Sequence, residues 1–250
     1  MYKDLIGLIQ KTMITNGYKL QEIETVNAVN KRKNGVTFEL EDHIAGMVYA
    51  LLSNQRPWKQ VEENYEAIRS IFHGFNPDYL QSVNPSILVK EIRDIRCGNR
   101  SINSQMNGLG YNISQFDRIT ELYGSMDNFV TSDSPNVIAK SLSSGEYKLK
   151  QMGTALTMEY LKNVGIDTIK PDIHIRRLFG KDRLGFSDKI LATEDETIEI
   201  VRQMSIETSL LCAEIDSIIW QFCATDYAEI CSSNPHCDKC LLKCKKKINY

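Results

Sequence analysis

Proline is scarce, at six in 250 residues, and the two tryptophans and four histidines are sparse as well. With only fourteen glycines added, collagen-like and Pro/Gly-rich disordered classes are excluded. No apolar run extends beyond Ile44 to Leu52, and mean hydropathy is −0.31, so no segment has the length of a membrane span. The first residues lack a basic n-region and carry Asp4 instead, so no signal peptide and a cytoplasmic location are expected. Neither charge dominates: 30 Lys and Arg face 32 Asp and Glu, a net of −2. Any nucleic-acid binding must therefore come from local patches rather than from total charge. There is no internal repeat, no low-complexity stretch, no Gly/Ser linker between two halves, and no convincing period-two strand pattern.

What remains is a chain 42% hydrophobic and 25% charged, enough apolar surface for one or two cores. Two local basic patches stand out. Lys170 to Arg183 holds Lys170, Arg176, Arg177, Lys181 and Arg183 against Asp172 and Asp182, and the tail from Cys237 to Lys247 holds five lysines against Asp238. Either patch is also what a solvated helix face would look like.

Helical periodicity dominates. It predicts helices over Tyr2 to Met13, Leu20 to Lys33, Glu41 to Gln55, Trp58 to Phe72, Pro77 to Val83, Pro85 to Ile95, Ile102 to Asn107, Ile113 to Tyr123 and Ser134 to Ser141. Leu149 to Met152 reads as a short helix, Gly153 as a tight turn, and Ala155 to Val164 as the second arm of a hairpin. Pro171 opens a helix from Asp172 to Phe179. Glu194 to Ala224, with Thr193 as N-cap, reads as two helices divided near Ser205 to Ser209.

Seven cysteines, five of them between Cys223 and Cys244, argue for a metal or cluster site rather than for disulfides. Cys231, Cys237, Cys240 and Cys244 follow C-x5-C-x2-C-x3-C. Four thiolates this close can converge only if the backbone wraps around them, and both an iron-sulfur cubane and zinc accept four cysteines. His236 is a further candidate ligand, and Cys223 reads as core. The hairpin Leu149 to Thr157 could direct its turn amides and the following helix N-terminus at a DNA phosphate. Asp172, just after Pro171, stands where free amides and the helix dipole favour a carboxylate; a plain helix cap and a catalytic role are both open on these residues alone.

Together and in this order, the motifs resemble the helix-hairpin-helix DNA glycosylase superfamily in its endonuclease III-like branch. The family's Ser-Ala-Gln resembles Ser53-Asn54-Gln55. Its Leu-Pro-Gly-Val-Gly-x-Lys-Thr-Ala hairpin resembles Leu149 to Thr157, and its Val-Asp-Thr-His-Val resembles Pro171-Asp172-Ile173-His174-Ile175, with Arg177 also matching. Arg-Leu-Gly recurs at Arg183 to Gly185, and the C-x6-C-x2-C-x5-C cluster loop resembles Cys231 to Cys244, including Asn234-Pro235. The likeness spans residues 40 to 244. Three departures accompany it: the cluster spacers are shortened, Gln151 replaces the first hairpin glycine, and Ala155 stands where bifunctional members carry a Schiff-base lysine.

The resemblance implies an all-α, two-domain fold: a six-helix barrel over residues 38–165, and a helical domain of residues 1–37 with 166–250 that carries an iron-sulfur cluster loop. It implies a base-excision-repair DNA glycosylase that flips a damaged or mispaired base and hydrolyses its N-glycosidic bond. Asp172 would be the catalytic carboxylate, and Gln55 would fill the vacated space beside Arg56 and Trp58. Met152, Gly153 and Ala155 on the hairpin, Arg177, and Lys239 and Lys243 beside the cluster would contact DNA. Cys231, Cys237, Cys240 and Cys244 would hold a 4Fe-4S cluster, with zinc as the other occupant. Ala155 implies a monofunctional enzyme, since strand scission by the imine route lacks its amine; Lys150 and Lys162 read as surface lysines. A non-catalytic DNA-binding protein on the same scaffold, and a bifunctional glycosylase/lyase with a relocated lysine, are the alternatives. The partner is double-stranded DNA bound by a monomer, with no membrane and no nucleotide cofactor.

Overall fold

A computed structural model describes residues 1–21, 24–55 and 58–245. Among the described residues the chain forms fourteen α-helices and no strand, as the dominant helical period leads one to expect. Two compact units divide it: Ala28–Ile166, and a second made of Met1–Asn27 with Asp167–Tyr250.

Helix α1 (Tyr2–Thr15) opens the chain, and α2 (Glu24–Lys33) crosses the division. Residue 38 is the expected start of the barrel, whereas the contact division falls at Ala28. The reason is Arg32, whose Nε donates to Val164 O at 2.9 Å and whose Nη1 donates to Asp127 Oδ2 at 3.2 Å, tying the end of α2 into the barrel unit.

That unit continues with α3 (Leu40–Leu52), α4 (Trp58–Glu62), α5 (Tyr65–Ile71), a single 3-10 turn at His73–Phe75, α6 (Pro77–Ser82), α7 (Pro85–Asp94), α8 (Ile102–Tyr123), α9 (Met126–Val130), α10 (Pro135–Ser143) and α11 (Thr154–Asn163). The Glu39/Asp42 capping box starts α3, and almost its whole circumference is apolar. Ile44, Met47, Val48, Leu51 and Leu52 are fully buried, each stabilising by about 1.5–3 kcal/mol. At Gly46 a Cβ would lie 3.0 Å from Val164 Cγ1 and 3.2 Å from Asn163 Cβ. The bare backbone there lets α3 approach α11 closely, and Asn163 Nδ2 donates to Gly46 O at 2.9 Å. This contact fixes the helix that follows the hairpin.

The barrel core also buries polar groups. His43 Nδ1 pairs with Tyr160 OH at 2.7 Å, and His43 Nε2 lies 3.4 Å from Asp127 Oδ1. Burial pushes Asp127 up, but His43 and Arg32 outweigh it and hold the carboxyl well below its ordinary range. Burial depresses His43, against the opposing pull of Asp127.

Helices α12 (Ile173–Phe179), α13 (Glu194–Thr208) and α14 (Cys212–Cys223) complete the other unit with α1. Its core gathers Ile6, Ile9, Met13, Ile175, Phe179, Met204, Ile219 and Phe222. Gln221 of α14 reaches both Tyr18 OH, at 3.0 Å, and the Gln21 amide, at 2.9 Å.

Several expected boundaries move. Residues 149–152 form a turn rather than a short helix, so the first arm of the hairpin is α10. The predicted pair Ile102 to Asn107 and Ile113 to Tyr123 is one helix, α8, through Gly108 and Gly110. Trp58 to Phe72 divides at Glu63 and Asn64, and α3 stops at Leu52 instead of reaching Gln55. The five-residue α9 was not expected from the sequence.

Candidate functional site

Between α10 and α11 the hairpin is anchored from two sides. Leu149 is fully buried, with its amide donating to Leu142 O at 2.8 Å. Asn112 of α8, also fully buried, accepts from the Lys150 amide at 2.7 Å and donates to the Lys150 carbonyl at 3.1 Å. Both backbone hydrogen-bonding groups of residue 150 are thereby taken up by one side chain. Gln151, in the place of the family's glycine, has φ of 63°. The hairpin keeps the left-handed backbone that glycine adopts freely and holds an exposed glutamine in it. Gly153 is the N-cap of α11 and offers no capping side chain, so the amides of the first turn of α11 face outward without a helix partner. Met152 is 2% exposed as a whole residue, backbone and side chain together, so the DNA contact expected at that position is buried. An open groove of about 700 Å³ runs beside the hairpin, lined by Ser104, Asn107 and Gly108 of α8, Ser143, and the residues from Lys148 to Gly153.

Ala155 is half-buried on α11 and offers no amine of its own. Of the two nearby lysines, Lys150 is exposed as expected, with Nζ 4.4 Å from the centroid of Tyr111. Lys162 is not a surface residue. It is 6% exposed and pairs with Glu159 Oε2 at 3.0 Å, because three residues along a helix place the two side chains on one face.

Asp172 is the N-cap of α12, and its Oδ1 accepts from the amides of His174 at 2.8 Å and Ile175 at 3.2 Å. The cap expected on chemical grounds is thus present. Capping uses one oxygen and leaves the half-exposed carboxylate a second, Oδ2, outside these two bonds. His174 is depressed chiefly by burial, while Asp172 and a hydrogen bond to the Cys223 backbone pull it upward; its Nδ1 is buried without a hydrogen-bond partner. Arg177 is half-buried on the same helix.

Gln55 is exposed, three residues beyond the end of α3, with φ of 52°. Arg56 lies outside the described residues. Trp58 is half-buried and packs edge-on against Tyr65, with ring centroids 6.0 Å apart. Lys239 and Lys243 are both exposed on the cysteine loop.

All four spaced cysteines line one cavity with Leu178, Arg183, Ile230, Pro235 and Leu242. Cys231 and Cys240 are buried, and Cys237 and Cys244 are half-exposed. Arg183, itself 6% exposed, donates through Nη1 to Cys231 Sγ at 3.0 Å and through Nη2 to Ser232 O at 3.1 Å. The Cys223 hydrogen bond, followed by the Arg183 charge, draws Cys231 down to about 7, while full burial pushes Cys223 well up. Among the described residues, no three His, Cys, Asp or Glu side chains are grouped around a single ion. The cavity that the four thiols line is about 10 Å³, the room of a single water; four cysteines are the donor chemistry that an iron-sulfur cubane takes, one thiolate to each iron.

Neither a family model nor a curated protein sequence matches the chain. A solved structure does: Methanocaldococcus jannaschii 8-oxoguanine glycosylase/lyase, in complex with a 15mer DNA containing 8-oxoguanine. The TM-score is 0.59 at 18% identity, covering 87% of this chain and 95% of the other. The chain shares its all-α fold with that glycosylase/lyase. Among the described residues, no helix is long and apolar enough to cross a membrane.

Sequence reasoning missed Asn112, Gly108 and Tyr111 as supports of the hairpin. A signal was present for Asn112: it shares a helical face with buried Leu109 and Phe116, where an amide needs a specific partner.

Proposed function

We propose that this protein is a monofunctional DNA glycosylase acting on double-stranded DNA as a monomer, with Asp172 as its catalytic carboxylate. The observation that carries the proposal is Asp172 itself, fixed by two backbone amides at the start of a helix on a glycosylase fold. The structural neighbour's bound DNA supports the choice of partner. Cleaving an N-glycosidic bond develops positive charge on the sugar. A carboxylate oxygen held near that carbon stabilises the transition state more than the ground state. Oδ2 is the oxygen available for this, since Oδ1 accepts both amides. Water adds to the sugar carbon, the base leaves with the bonding electron pair, and the proton released by water passes to Asp172. Ala155 supports hydrolysis over imine chemistry, and Lys162, buried and paired with Glu159, is a poor substitute nucleophile.

Gln55 would occupy the space of the extruded base, in a left-handed turn that holds its side chain clear of α3. Gly153 and the first turn of α11 at Ala155, which follow buried Met152, would receive a phosphate, with Arg177 as a further DNA contact. Cys231, Cys237, Cys240 and Cys244 would hold a 4Fe-4S cluster, on the likeness of this loop to the endonuclease III-like one, with its first and last spacers shortened. The cluster would supply a structural core for the loop that presents Lys239 and Lys243 to the DNA backbone.

The test uses end-labelled duplexes carrying a panel of lesions and mismatches, resolved with and without hot alkali. Breaks that appear only after alkali are expected, with Asp172→Asn lowering the excision rate by at least about 100-fold while duplex affinity is kept. Excision by Asp172→Asn at the wild-type rate would overturn the assignment. Breaks without alkali would refute the monofunctional reading, and binding without any product would leave a DNA-binding protein on this scaffold.

A further inference from the structure

Lys150 does not wave in solvent. Gly108 of α8 lies directly beneath its stem: a Cβ built there would sit 3.0 Å from Lys150 Cβ and 3.5 Å from Cδ. The side chain therefore runs flat across α8, over the one residue in the helix at that level with nothing to obstruct it. Its ammonium ends 4.4 Å from the Tyr111 ring centroid, one helical turn further along. The backbone of residue 150 is clamped on both sides by fully buried Asn112. Asn112, Gly108 and Tyr111 all come from α8, so a single rigid helix sets the backbone, path and endpoint of this lysine.

The charge it delivers borders the groove of about 700 Å³ whose other polar lining is Ser104, Asn107, Ser143, Lys148 and Gln151. Hydroxyls, two amides and two lysines, with no carboxylate among the lining residues, form a donor surface suited to a phosphodiester. The cation-π contact leaves the ammonium's outer hydrogens directed away from the ring. Holding the side chain in place beforehand reduces the entropy lost on binding.

We propose that α8 and Lys150 form a second phosphate seat for the DNA backbone, separate from the amides of α11, in which Lys150 is the charged contact and Gly108, Tyr111 and Asn112 position it. This deepens the glycosylase reading and rests on it. A hairpin that replaces a glycine by Gln151 thus gains, through its neighbouring residue, a side-chain phosphate contact.

The experiment measures affinity of the full-length protein for an undamaged fluorescent duplex by anisotropy over a series of KCl concentrations. One phosphate contact contributes a slope of about 0.9 in log Kd against log salt. Lys150→Met should reduce the slope by about one and weaken binding about eightfold at 0.1 M salt. Lys150→Arg should restore both. Tyr111→Leu keeps the charge and loses its seat, so affinity should fall about two- to fivefold with the slope unchanged. Gly108→Leu, which obstructs the path of the stem, should reproduce the affinity loss of Lys150→Met with the lysine still present. Lys90→Met, which removes a lysine 78% exposed on α7, should alter neither quantity. A wild-type slope in Lys150→Met, with the fold verified by its thermal melt, overturns the seat and leaves the glycosylase reading intact. Absence of any duplex binding by the wild-type protein overturns both.

Discussion

Replacing Gln151 by glycine should stabilise this protein, contrary to the usual effect of introducing glycine. Residue 151 has φ of 63°, and a left-handed conformation costs a residue with a Cβ about 1–2 kcal/mol. Glycine relieves that cost but adds unfolded-state entropy worth about 0.4–1 kcal/mol. The Gln151 side chain is exposed and buries no apolar group that its loss would uncover. The net expectation is a gain of about 0.5–1 kcal/mol for Gln151→Gly. Gln151→Asn should fall between, because asparagine tolerates this region better than other side chains, and Gln151→Ala should stay close to wild type. Urea unfolding of the series, compared at constant m-value, gives the order directly. The reasoning is refuted if the glycine variant proves no more stable than the alanine variant. In that event the left-handed turn is not strained, or the Gln151 side chain makes a contact that offsets the strain.

Two further expectations concern buried charge. Asp127→Asn removes the anionic partner of Arg32 and leaves its Val164 carbonyl contacts and its stacking on Phe38; at pH 7.5 it should destabilise the Ala28–Ile166 unit by about 3 kcal/mol, read by chemical denaturation. Because the Asp127 carboxyl is held below its ordinary value in the folded state, its stabilisation is fully present above about pH 4. It is lost as pH falls further, so the gap between variant and wild type should narrow below pH 4; a gap independent of pH there would refute the ion-pair account. Arg183→Gln removes the charge beside Cys231 and should make an iron-sulfur cluster lose iron faster to a chelator, followed by its visible absorption. Arg183→Lys, charged but without the planar fork, should be intermediate, and equal loss rates for all three proteins would remove Arg183 from the account.

Where a single helix could be judged from its own residues, the sequence was sufficient: Asp172 as N-cap, Thr193 as N-cap and the break near Ser209 all follow from local chemistry. The readings that failed depended on distant partners. Residues 149–152 have apolar spacing suited to a helix, yet Asn112 takes both backbone groups of Lys150 from another element, so the segment is bound as a turn. Gly108 and Gly110 looked like a break in α8, but buried Leu109, Asn112 and Ile113 hold the helix through them. Lys162 looked like a surface lysine because burial of a charge becomes legible only when its partner, Glu159, is seen three residues back. Of the site, the four cysteines stood out as a set from their spacing; they line one cavity, while among the described residues no metal-holding group of side chains is formed. The guanidinium on Cys231 and the α8 platform were not visible, since neither has a local signature.

The unit built from Met1–Asn27 and Asp167–Tyr250 is discontinuous, with the barrel unit inserted between its two segments. During synthesis the barrel can fold as soon as residue 166 leaves the ribosome, because all of it lies in one stretch of chain. The other unit has to wait. Tyr18 and Gln21 meet Gln221 across about two hundred residues, and Asn16 and Thr12 reach Lys239 and Leu241 across still more. Closing so long a loop from an open chain is entropically costly and slow, but a folded barrel spanning the gap brings the two ends together beforehand. Every residue that lines the thiol-bearing cavity, from Leu178 to Cys244, follows the inserted unit in the chain. The order of synthesis therefore lets that cavity form only after the inserted unit has been made.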